Sequence, residues 1–573
     1  MAICALAVEE RAGIVVGAMC HAPALLGLTL LSLAIFSGSS AAATRIWIGK
    51  VDPFWSNPAN WTNSLVPSNG DSLEFADDVK FRDTYNDISP PFEIRSILIK
   101  GRNYVLRGNK INLHAGIVSL PGNSSNLITL DMNISAPLSI SNRGYFNQLE
   151  LAGEIRIYYD PLVLETSSSI LISGLILDTN NVGVVQRTSA GTVSFAPTGR
   201  VAGTWTVEEG ELNLGGNSVI PHLYGVYKSV LVVGTDASPS GSARAVWGAN
   251  NKVAADTLVT VGRHGRLDLN GFTQTIGSLS GAGVVDLDSG QLILRHPPAR
   301  SQFAGELKGN GTLLLEGVDA GLELSGHNTF TGLVQTASLM VTNQDTQVIN
   351  ELASHLILSG SASNATVRLL TNSVLSGRGA AKSLITSSAT IRPGPGTLRF
   401  LDAVSLDPDS QLAISLDGPE AGQLETGQLN LANAALNVTY QGTDPGSLFT
   451  LIAAGSTAGS TFQGLPESAW LVAGDPSGPS EFRLTYSGNA GHDVVLERTG
   501  LFAPPLLRIR QLTLGTRVVE WPIAAQGYTL QYSPTLTTAA WTTAGLPVPS
   551  VTATDFLVTE SQSGDQRYFR LIR

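Results

Sequence analysis

Cysteine is almost absent from this chain of 573 residues, which contains only Cys4 and Cys20. Both lie before residue 44, so we expect neither disulfides nor a thiol nucleophile or thiolate metal site in the rest of the chain. Charged residues make up only 14%, and 46 acidic against 35 basic residues give a net charge of −11. This balance argues against a nucleic-acid or acidic partner, because phosphate binding needs clustered lysine and arginine.

Long hydrophobic runs are also missing, with one exception near the N-terminus. Ala24 to Phe36 is an uninterrupted, largely apolar run, followed by the small residues Ala41 to Ala43. This run is too short to span a membrane and is typical of a signal peptide. We therefore predict a signal peptide over residues 1–43 and export of the remainder to the cell surface or extracellular space, with no transmembrane span after cleavage. The sequence leaves open whether translation starts at Met1 or Met19.

A glycine followed by alternating leucines recurs along the middle of the chain. The phrase occurs at Gly210–Leu214, Gly265–Leu269, Gly290–Leu294, Gly311–Leu315 and Gly321–Leu324. A period of two places the leucines on one face of a strand, and glycine suits a corner where the chain turns. The intervals from Gly265 to Gly290 and from Gly290 to Gly311 match one coil of a β-solenoid, which buries its apolar edge by stacking on its neighbours.

The pattern predicts an all-β fold, namely a right-handed parallel β-helix (β-solenoid) followed by a small C-terminal antiparallel β-sandwich. Residues 91–375 would form the solenoid repeats, about a dozen coils at roughly 22 residues each. Residues 376–502 would form a terminal solenoid region with longer, less regular coils. Residues 503–573 would form the sandwich, after a stiff linker at Ala503–Pro505.

An aromatic segment over residues 44–90 precedes these repeats. It contains Trp47, Trp55 and Trp61 among asparagine, proline and glycine. We interpret it as an N-terminal cap, since the open end of a solenoid would otherwise present unpaired strand edges. An alternative is that these tryptophans are exposed and stack on sugars.

One phrase carries a resemblance to a known family. Residues 324–332 read L-S-G-H-N-T-F-T-G, which resembles the phrase L-S-G-x-N-T-Y-T-G of the autotransporter-associated β-strand repeat. The N-terminal aromatic pattern, Pro393–Leu398 and the end of the chain are also similar to exported bacterial proteins with this repeat. The resemblance covers most of residues 44–573 and implies an exported β-solenoid. The segment 506–573 does not resemble a translocator barrel, which implies release or surface attachment by another route.

The sequence contains no motif that carries established chemistry. None of the seven histidines after the leader has metal-ligand spacing, and His327 falls at the variable position of the repeat phrase, where an exposed corner is expected. These histidines are His114, His222, His264, His296, His327, His355 and His492. Nucleophile elbows and phosphate-binding glycine loops are absent as well.

Two pairs of aspartates remain as candidates, because β-helices also include polysaccharide lyases and glycosidases. Asp286 and Asp288 would share a strand face and could bind calcium or flank a glycosidic bond. The simpler interpretation is a solvated strand face followed by a turn. Asp407 and Asp409 are most simply a turn.

We therefore predict an exported structural or adhesive β-solenoid without enzymatic activity, and we assign no catalytic, cofactor-binding or metal-binding residue and no cofactor. Its partners would be extracellular polysaccharide or cell-surface components, and self-association is left open. One alternative is a polysaccharide-active β-helix enzyme, a lyase or a glycosidase. Another is a carbohydrate-binding adhesin that uses Trp205, Trp247 or the N-terminal tryptophans.

Overall fold

A computed structural model describes most of the chain after the leader. It describes residues 42–120, 125–144, 147–180, 182–195, 200–215, 229–295, 301–317, 321–337, 354–416, 421–440, 447–474, 479–489, 491–501, 505–513, 516–522, 528–536, 541–543, 546–552, 554–561 and 567–572. Cys4, Cys20, Met19, His222, His296 and most of the predicted signal peptide and linker lie outside these residues.

The fold is nearly all β, with 60% of residues in strands and a parallel β-solenoid of about 14 turns. The predicted fold class is therefore confirmed. Among the described residues the only helices are the 3₁₀ turns Pro58–Asn60 and Thr62–Ser64, and none is long and apolar enough to cross a membrane.

The strands are short and follow one another closely. The first seventeen are β1 (Thr44–Trp47), β2 (Asp71–Phe75), β3 (Asp83–Asn86), β4 (Glu93–Ile99), β5 (Val105–Gly108), β6 (Ile111–Ser119), β7 (Asn126–Ile128), β8 (Met132–Ile134), β9 (Leu138–Asn142), β10 (Gln148–Leu151), β11 (Ile155–Ile157), β12 (Leu162–Thr166), β13 (Ser169–Ile172), β14 (Leu175–Asp178), β15 (Val184–Phe195), β16 (Arg200–Ala202) and β17 (Thr204–Leu214).

The remaining solenoid strands run to residue 457. They are β18 (Val230–Val233), β19 (Ala243–Trp247), β20 (Leu258–Val261), β21 (Gly265–Asp268), β22 (Thr273–Ile276), β23 (Ser278–Gly281), β24 (Val284–Asp286), β25 (Gln291–Arg295), β26 (Ser301–Phe303), β27 (Glu306–Lys308), β28 (Thr312–Glu316), β29 (Gly321–Leu324), β30 (Leu333–Ala337), β31 (His355–Leu358), β32 (Ser361–Leu369), β33 (Val374–Gly377), β34 (Ala380–Thr386), β35 (Thr390–Pro393), β36 (Gly396–Ser405), β37 (Gln411–Ser415), β38 (Gly422–Asn430), β39 (Ala435–Thr439) and β40 (Leu448–Thr457).

Parallel ladders join these strands from coil to coil. The first ladder starts at β1, continues through β2, β4 and β6, and ends at β39. The second ladder runs from β3 through β5 and β7 to β27. A third ladder joins β6, β8, β11, β14 and β16, and a fourth runs from β22 to β40. The strands of the predicted cap segment thus already take part in the parallel stacking.

Coil length varies because the corners differ while the strands stay in register. Ile97 pairs with Ile117 in the next coil, whereas Leu324 pairs with Leu358 across a much longer stretch of chain. The coils just after residue 375 are short, since Val374 already pairs with Thr390. Later in the same region Leu424 pairs with Ile452 across a longer step, so coil length there is irregular.

The five glycine–leucine phrases lie on three different ladders. Gly210 and Gly265 both pair with Ala243 on the second ladder, while Gly290 and Gly311 precede β25 and β28 of the fourth. We predicted one coil between Gly265 and Gly290, and this prediction is wrong. The step from Gly290 to Gly311 is one coil, as we predicted. The alternating leucines of all five phrases are buried, and only Leu314, at the outward position between Leu313 and Leu315, is partly exposed. The inward orientation predicted from their alternation is confirmed.

Close approach of neighbouring coils explains one column of glycines, which we call the corner column: Gly283, Gly305, Gly326, Gly360 and Gly379. A Cβ atom added at Gly305 would lie 2.0 Å from the carbonyl oxygen of Gly283, and one at Gly326 would lie 1.9 Å from that of Gly305. Real Cβ atoms do not approach closer than 3.0 Å. Glycine is therefore required by the neighbouring backbone, and none of these five residues has a positive φ.

The N-terminal end of the core is filled by aromatic rings. Trp47, Trp55 and Trp61 are fully buried with Phe75 and Tyr104. The rings of Trp47 and Trp61 meet edge to face with centroids 5.1 Å apart. The indole N–H of Trp61 donates to the Trp55 carbonyl at 2.8 Å. The first coils are thus filled by large apolar rings.

The parallel stack ends at β40, which pairs in parallel with β38 and antiparallel with β43 (Asp493–Leu501). β43 pairs antiparallel with β42 (Ser480–Gly488), and β42 pairs antiparallel with β41 (Trp470–Ala473).

The remaining strands form two separate antiparallel sheets. These strands are β44 (Arg508–Thr513), β45 (Thr516–Pro522), β46 (Thr529–Ser533), β47 (Ser550–Val551), β48 (Asp555–Ser561) and β49 (Tyr568–Ile572). One sheet has the order β44-β45-β48-β47, and β46 pairs with β49. Val519, Trp521, Leu530 and Val558 form their own small core. The predicted antiparallel C-terminal region is confirmed.

Candidate functional site

The tryptophans proposed for sugar stacking are all inside the protein. Trp205 and Trp247 are buried in β17 and β19, as are the three N-terminal tryptophans. A buried indole cannot offer its face to a sugar in solution. The interpretation of these five residues as a carbohydrate-binding surface is therefore wrong. Strand alternation turns Trp47, Trp205 and Trp247 inward, and Trp55 and Trp61 pack against the rings of the first coils.

Asp286 belongs to a connected series of ion pairs that runs diagonally between the strands of the second ladder. Arg266 contacts both Asp286 at 2.8 Å and Asp268 at 3.4 Å. Arg244 contacts Asp268 at 2.7 Å and Glu211 at 3.0 Å. We call these five residues the charge ladder. The hydrogen bond to Asp268 raises the pKa of Arg244 above its ordinary value.

This arrangement places Asp286 and Asp288 in different surroundings. β24 ends at Asp286, and Asp288 lies in the following turn with a φ of +48°. The Asp288 N–H donates to the Asp286 carboxylate at 3.0 Å. The two carboxylates therefore do not share a strand face, and Asp286 faces a guanidinium rather than an open cation position. Among the described residues no three His, Cys, Asp or Glu side chains are grouped so as to hold a metal ion.

Asp407 and Asp409 lie in a turn, as their spacing indicates. The Asp407 carboxylate accepts the backbone N–H of Ser388 at 3.1 Å and the hydroxyl of Thr386 at 3.3 Å. The N–H of Ser410 closes the turn onto the Asp407 carbonyl at 3.1 Å. Asp407 thus ties one coil to the preceding one, while Asp409 is exposed.

The repeat phrase has a structural role that its sequence does not reveal. Asn328 is buried, accepts the N–H of Leu307 at 2.9 Å and donates to the carbonyl of Ser361 at 3.1 Å. It therefore connects the coil before it with the coil after it. His327, the variable position, is exposed as expected.

Two other histidines contact groups that could take part in proton transfer. His114 lies 2.5 Å from the Glu93 carboxylate. Partial burial tends to raise the pKa of Glu93, but hydrogen bonds from Asn112 and His114 outweigh it and hold that pKa below its ordinary value of 4.5. The ring of His355 lies 2.7 Å from the Ser376 hydroxyl. His355 lies in β31 and Ser376 in β33, and these two strands pair in the parallel ladder. Their backbone N–H groups are therefore used in the ladder and offer no ready oxyanion site.

One shallow depression brings two carboxylates and a cation together. Its lining includes Arg399, Glu425 and Asp493, and its volume is about 340 Å³. Glu425 is 3.3 Å from Arg399. Asp493 accepts the N–H of Ala454 at 3.0 Å and the side chain of Asn489 at 2.6 Å. Both carboxylates are thus already held by groups of the protein itself.

An exposed aromatic pair on the first coils was not predicted. Phe54 and Tyr85 are 45% and 42% exposed, and their rings meet edge to face with centroids 6.0 Å apart. Arg107 pairs with Tyr85 in the next coil. We call these three residues the first-coil platform. The signal in the sequence is weak, since the three residues lie far apart along the chain.

No family model matches this chain, and no curated protein matches it.

Proposed function

We propose that this chain is an exported structural and adhesive β-solenoid of the cell surface or extracellular space, without enzymatic activity. We also propose that it is similar to proteins with the autotransporter-associated β-strand repeat. The observation that supports the proposal most is the first ladder, which runs in parallel from β1 to β39. A core stacked in this way makes a stiff body whose length grows coil by coil.

The outer surface is consistent with a structural role. The charge ladder places Glu211, Arg244, Asp268, Arg266 and Asp286 against one another across successive coils. A single ion pair near the surface contributes little alone, but the pairs Arg244–Asp268 and Arg266–Asp286 each join strands of successive coils and so oppose slippage between them. These acidic groups are engaged in holding the solenoid together.

Export is tested by expressing the full chain with a C-terminal tag in a Gram-negative host and fractionating the cells. We expect the tagged protein outside the cytoplasm, with a new N-terminus near residue 44. The matched control is Leu31→Arg, which interrupts the apolar run and should leave the protein in the cytoplasm. Recovery of the wild-type chain in the cytoplasm with residues 1–43 intact would contradict the proposal.

The absence of enzymatic activity is tested separately. The purified protein is incubated with neutral and anionic polysaccharides, and new reducing ends and unsaturated products are measured. We expect none above the buffer control. Release of products that Glu425→Gln abolishes would instead support the polysaccharide-active alternative, with its site at the depression beside Arg399.

A further inference from the structure

The first-coil platform is built by backbone pairing. The N–H of Trp55 donates to the Tyr85 carbonyl at 3.0 Å, and the N–H of Tyr85 donates to the Pro53 carbonyl at 2.8 Å. Phe54 thereby lies beside Tyr85 as its parallel partner. Because Tyr85 pairs with Arg107 in the same way, the three side chains form one outward column on consecutive coils.

Both rings lie at the surface beside buried neighbours. Thr84 and Asn86 of β3 are buried, so alternation turns Tyr85 outward. Phe54 forms a single bridge with Tyr85 and is exposed, whereas the adjacent Trp55 is buried. The large aromatic rings of the nearby cap are fully buried, and burial of these two rings would also be favourable. Two exposed rings in contact, bordered by polar side chains, form a small apolar surface that is open to a ligand.

Polar groups flank the rings on both sides. Asp83 accepts two hydrogen bonds from Arg107, at 2.6 and 2.9 Å, and both side chains are exposed. On the other side Asp87 accepts the N–H of Ser56 at 2.8 Å. Asp52 accepts the N–H of Phe54 at 3.0 Å. Three carboxylates and one guanidinium thus surround the rings, and the surface has an excess of negative charge.

This chemistry selects the class of ligand. The negative excess disfavours anionic polysaccharides, phosphate groups and nucleic acid. Two half-exposed rings offer far less than the roughly 800 Å² per partner that a stable protein interface buries. A neutral sugar fits both limits, because its C–H face packs against aromatic rings and its hydroxyls can donate to carboxylates and accept from a guanidinium.

We propose that the first-coil platform binds a neutral polysaccharide through Phe54 and Tyr85, with the exposed ion pair of Arg107 and Asp83 contacting the hydroxyl groups. The inference rests on the proposed adhesive function and gives it a ligand class. It uses a different surface from the tryptophans first considered, which are buried.

The test is co-sedimentation of the purified chain with insoluble cellulose, chitin, mannan and β-1,3-glucan, with calcium alginate gel as the anionic comparison. We expect binding to at least one neutral polysaccharide and weaker binding to alginate. The double variant Phe54→Ala/Tyr85→Ala should lower the bound fraction at equal polysaccharide at least tenfold. Tyr159→Ala is the matched control, because Tyr159 is an exposed aromatic residue elsewhere, at 68%, and it should bind like the wild type.

Two further variants keep the test decisive if the double variant folds poorly. Tyr85→Trp retains a ring and should bind, whereas Arg107→Gln retains both rings and should bind several-fold more weakly. The proposal is overturned if no neutral polysaccharide binds, if the double variant binds like the wild type, or if alginate is preferred. Because the assay uses purified protein, failure of export would refute the proposed location and leave this result intact.

Discussion

Replacement of Gly305 by alanine tests the close stacking of the coils. The added Cβ would lie 2.0 Å from the Gly283 oxygen, where at least 3.0 Å is needed, so the two coils must separate locally by about 1 Å. The N–H of Glu306 donates to that same oxygen at 2.9 Å, and the N–H of Ala304 donates to the Gly281 oxygen at 2.8 Å. Separation by about 1 Å takes both beyond hydrogen-bonding range.

The expected cost follows from these two hydrogen bonds. A buried backbone group without a partner costs about 1 to 3 kcal/mol, so Gly305→Ala should destabilise this coil by about 2 to 6 kcal/mol. Because a solenoid can open locally, the appropriate assay is amide hydrogen exchange measured by mass spectrometry. A loss of about 2 kcal/mol would speed exchange of the β26 and β27 amides by roughly 30-fold.

Gly394→Ala is the matched control for this variant. The nearest atom to its added Cβ is the Gly377 oxygen at 3.5 Å, an ordinary contact, and its φ is not positive. This change should be neutral or stabilise by about 0.4 to 1 kcal/mol. Unchanged protection in Gly305→Ala, or an equal loss in Gly394→Ala, would refute the reasoning.

Two further predictions concern the N-terminal coils. Trp55→Ala should lower the free energy of unfolding in urea by about 3 to 5 kcal/mol because the ring is fully buried. The control Trp470→Ala, at an exposed ring, should lower it by less than about 1 kcal/mol. Equal losses of stability in the two variants would contradict the cap. Acid should also loosen these coils. Glu93 and Asp52 have pKa values below their ordinary 4.5 and 3.8, and for Asp52 hydrogen bonds from Asn57, Phe54 and Asn60 outweigh the opposing effect of burial. A lowered pKa in the folded state adds stability that is full above the ordinary value and is lost as the pH falls through the folded one. Exchange of the β4 amides should thus be constant above about pH 5, after correction for intrinsic rates, and rise below about pH 4.5; Glu93→Gln should remove part of this rise, and an equal rise in that variant would count against it.

The sequence predicted the strands and their inward face better than their order in space. Leucine alternation indicates which side of a strand is buried, as for Leu292 and Leu313, which are paired in adjacent coils. Alternation carries no information on which of several ladders a strand joins. Gly265 and Gly290 therefore looked like one coil apart although they lie on different ladders.

Coil length could not be predicted because the corners set it. A corner of any length returns the chain to the same register, as the long step from Leu324 to Leu358 and the short step from Val374 to Thr390 illustrate. The cost of a longer loop rises only slowly with its length. A single average period was therefore a poor guide to individual coils.

The candidate site depends on choices that composition does not reveal. Phe54 and Trp55 are adjacent aromatic residues, and only the local backbone conformation decides that Trp55 fills the core while Phe54 is exposed. Tyr85 and Arg107 join Phe54 only through the pairing of successive coils. The tryptophans were the aromatic residues first considered for sugar binding because their rings are large. Large rings, however, also favour burial in the core.

The most direct test of the central claim, parallel stacking in register, is a pair of engineered disulfides. Thr260 faces Ser280 in the next coil, with the two hydroxyl oxygens 2.9 Å apart. Gln302 lies one coil further, next to Phe303, which pairs with Gly281. Adjacent strands lie about 4.8 Å apart and alternate ones about 9.6 Å, while a disulfide needs Cα atoms about 4.4 to 6.8 Å apart.

The measurement is thiol titration with intact-mass analysis after mild oxidation, with Cys4 and Cys20 replaced by serine. Parallel stacking predicts that Thr260→Cys/Ser280→Cys closes an intramolecular disulfide nearly completely while Thr260→Cys/Gln302→Cys stays reduced. Equal oxidation of both pairs, or closure of the second alone, would contradict the stacked solenoid.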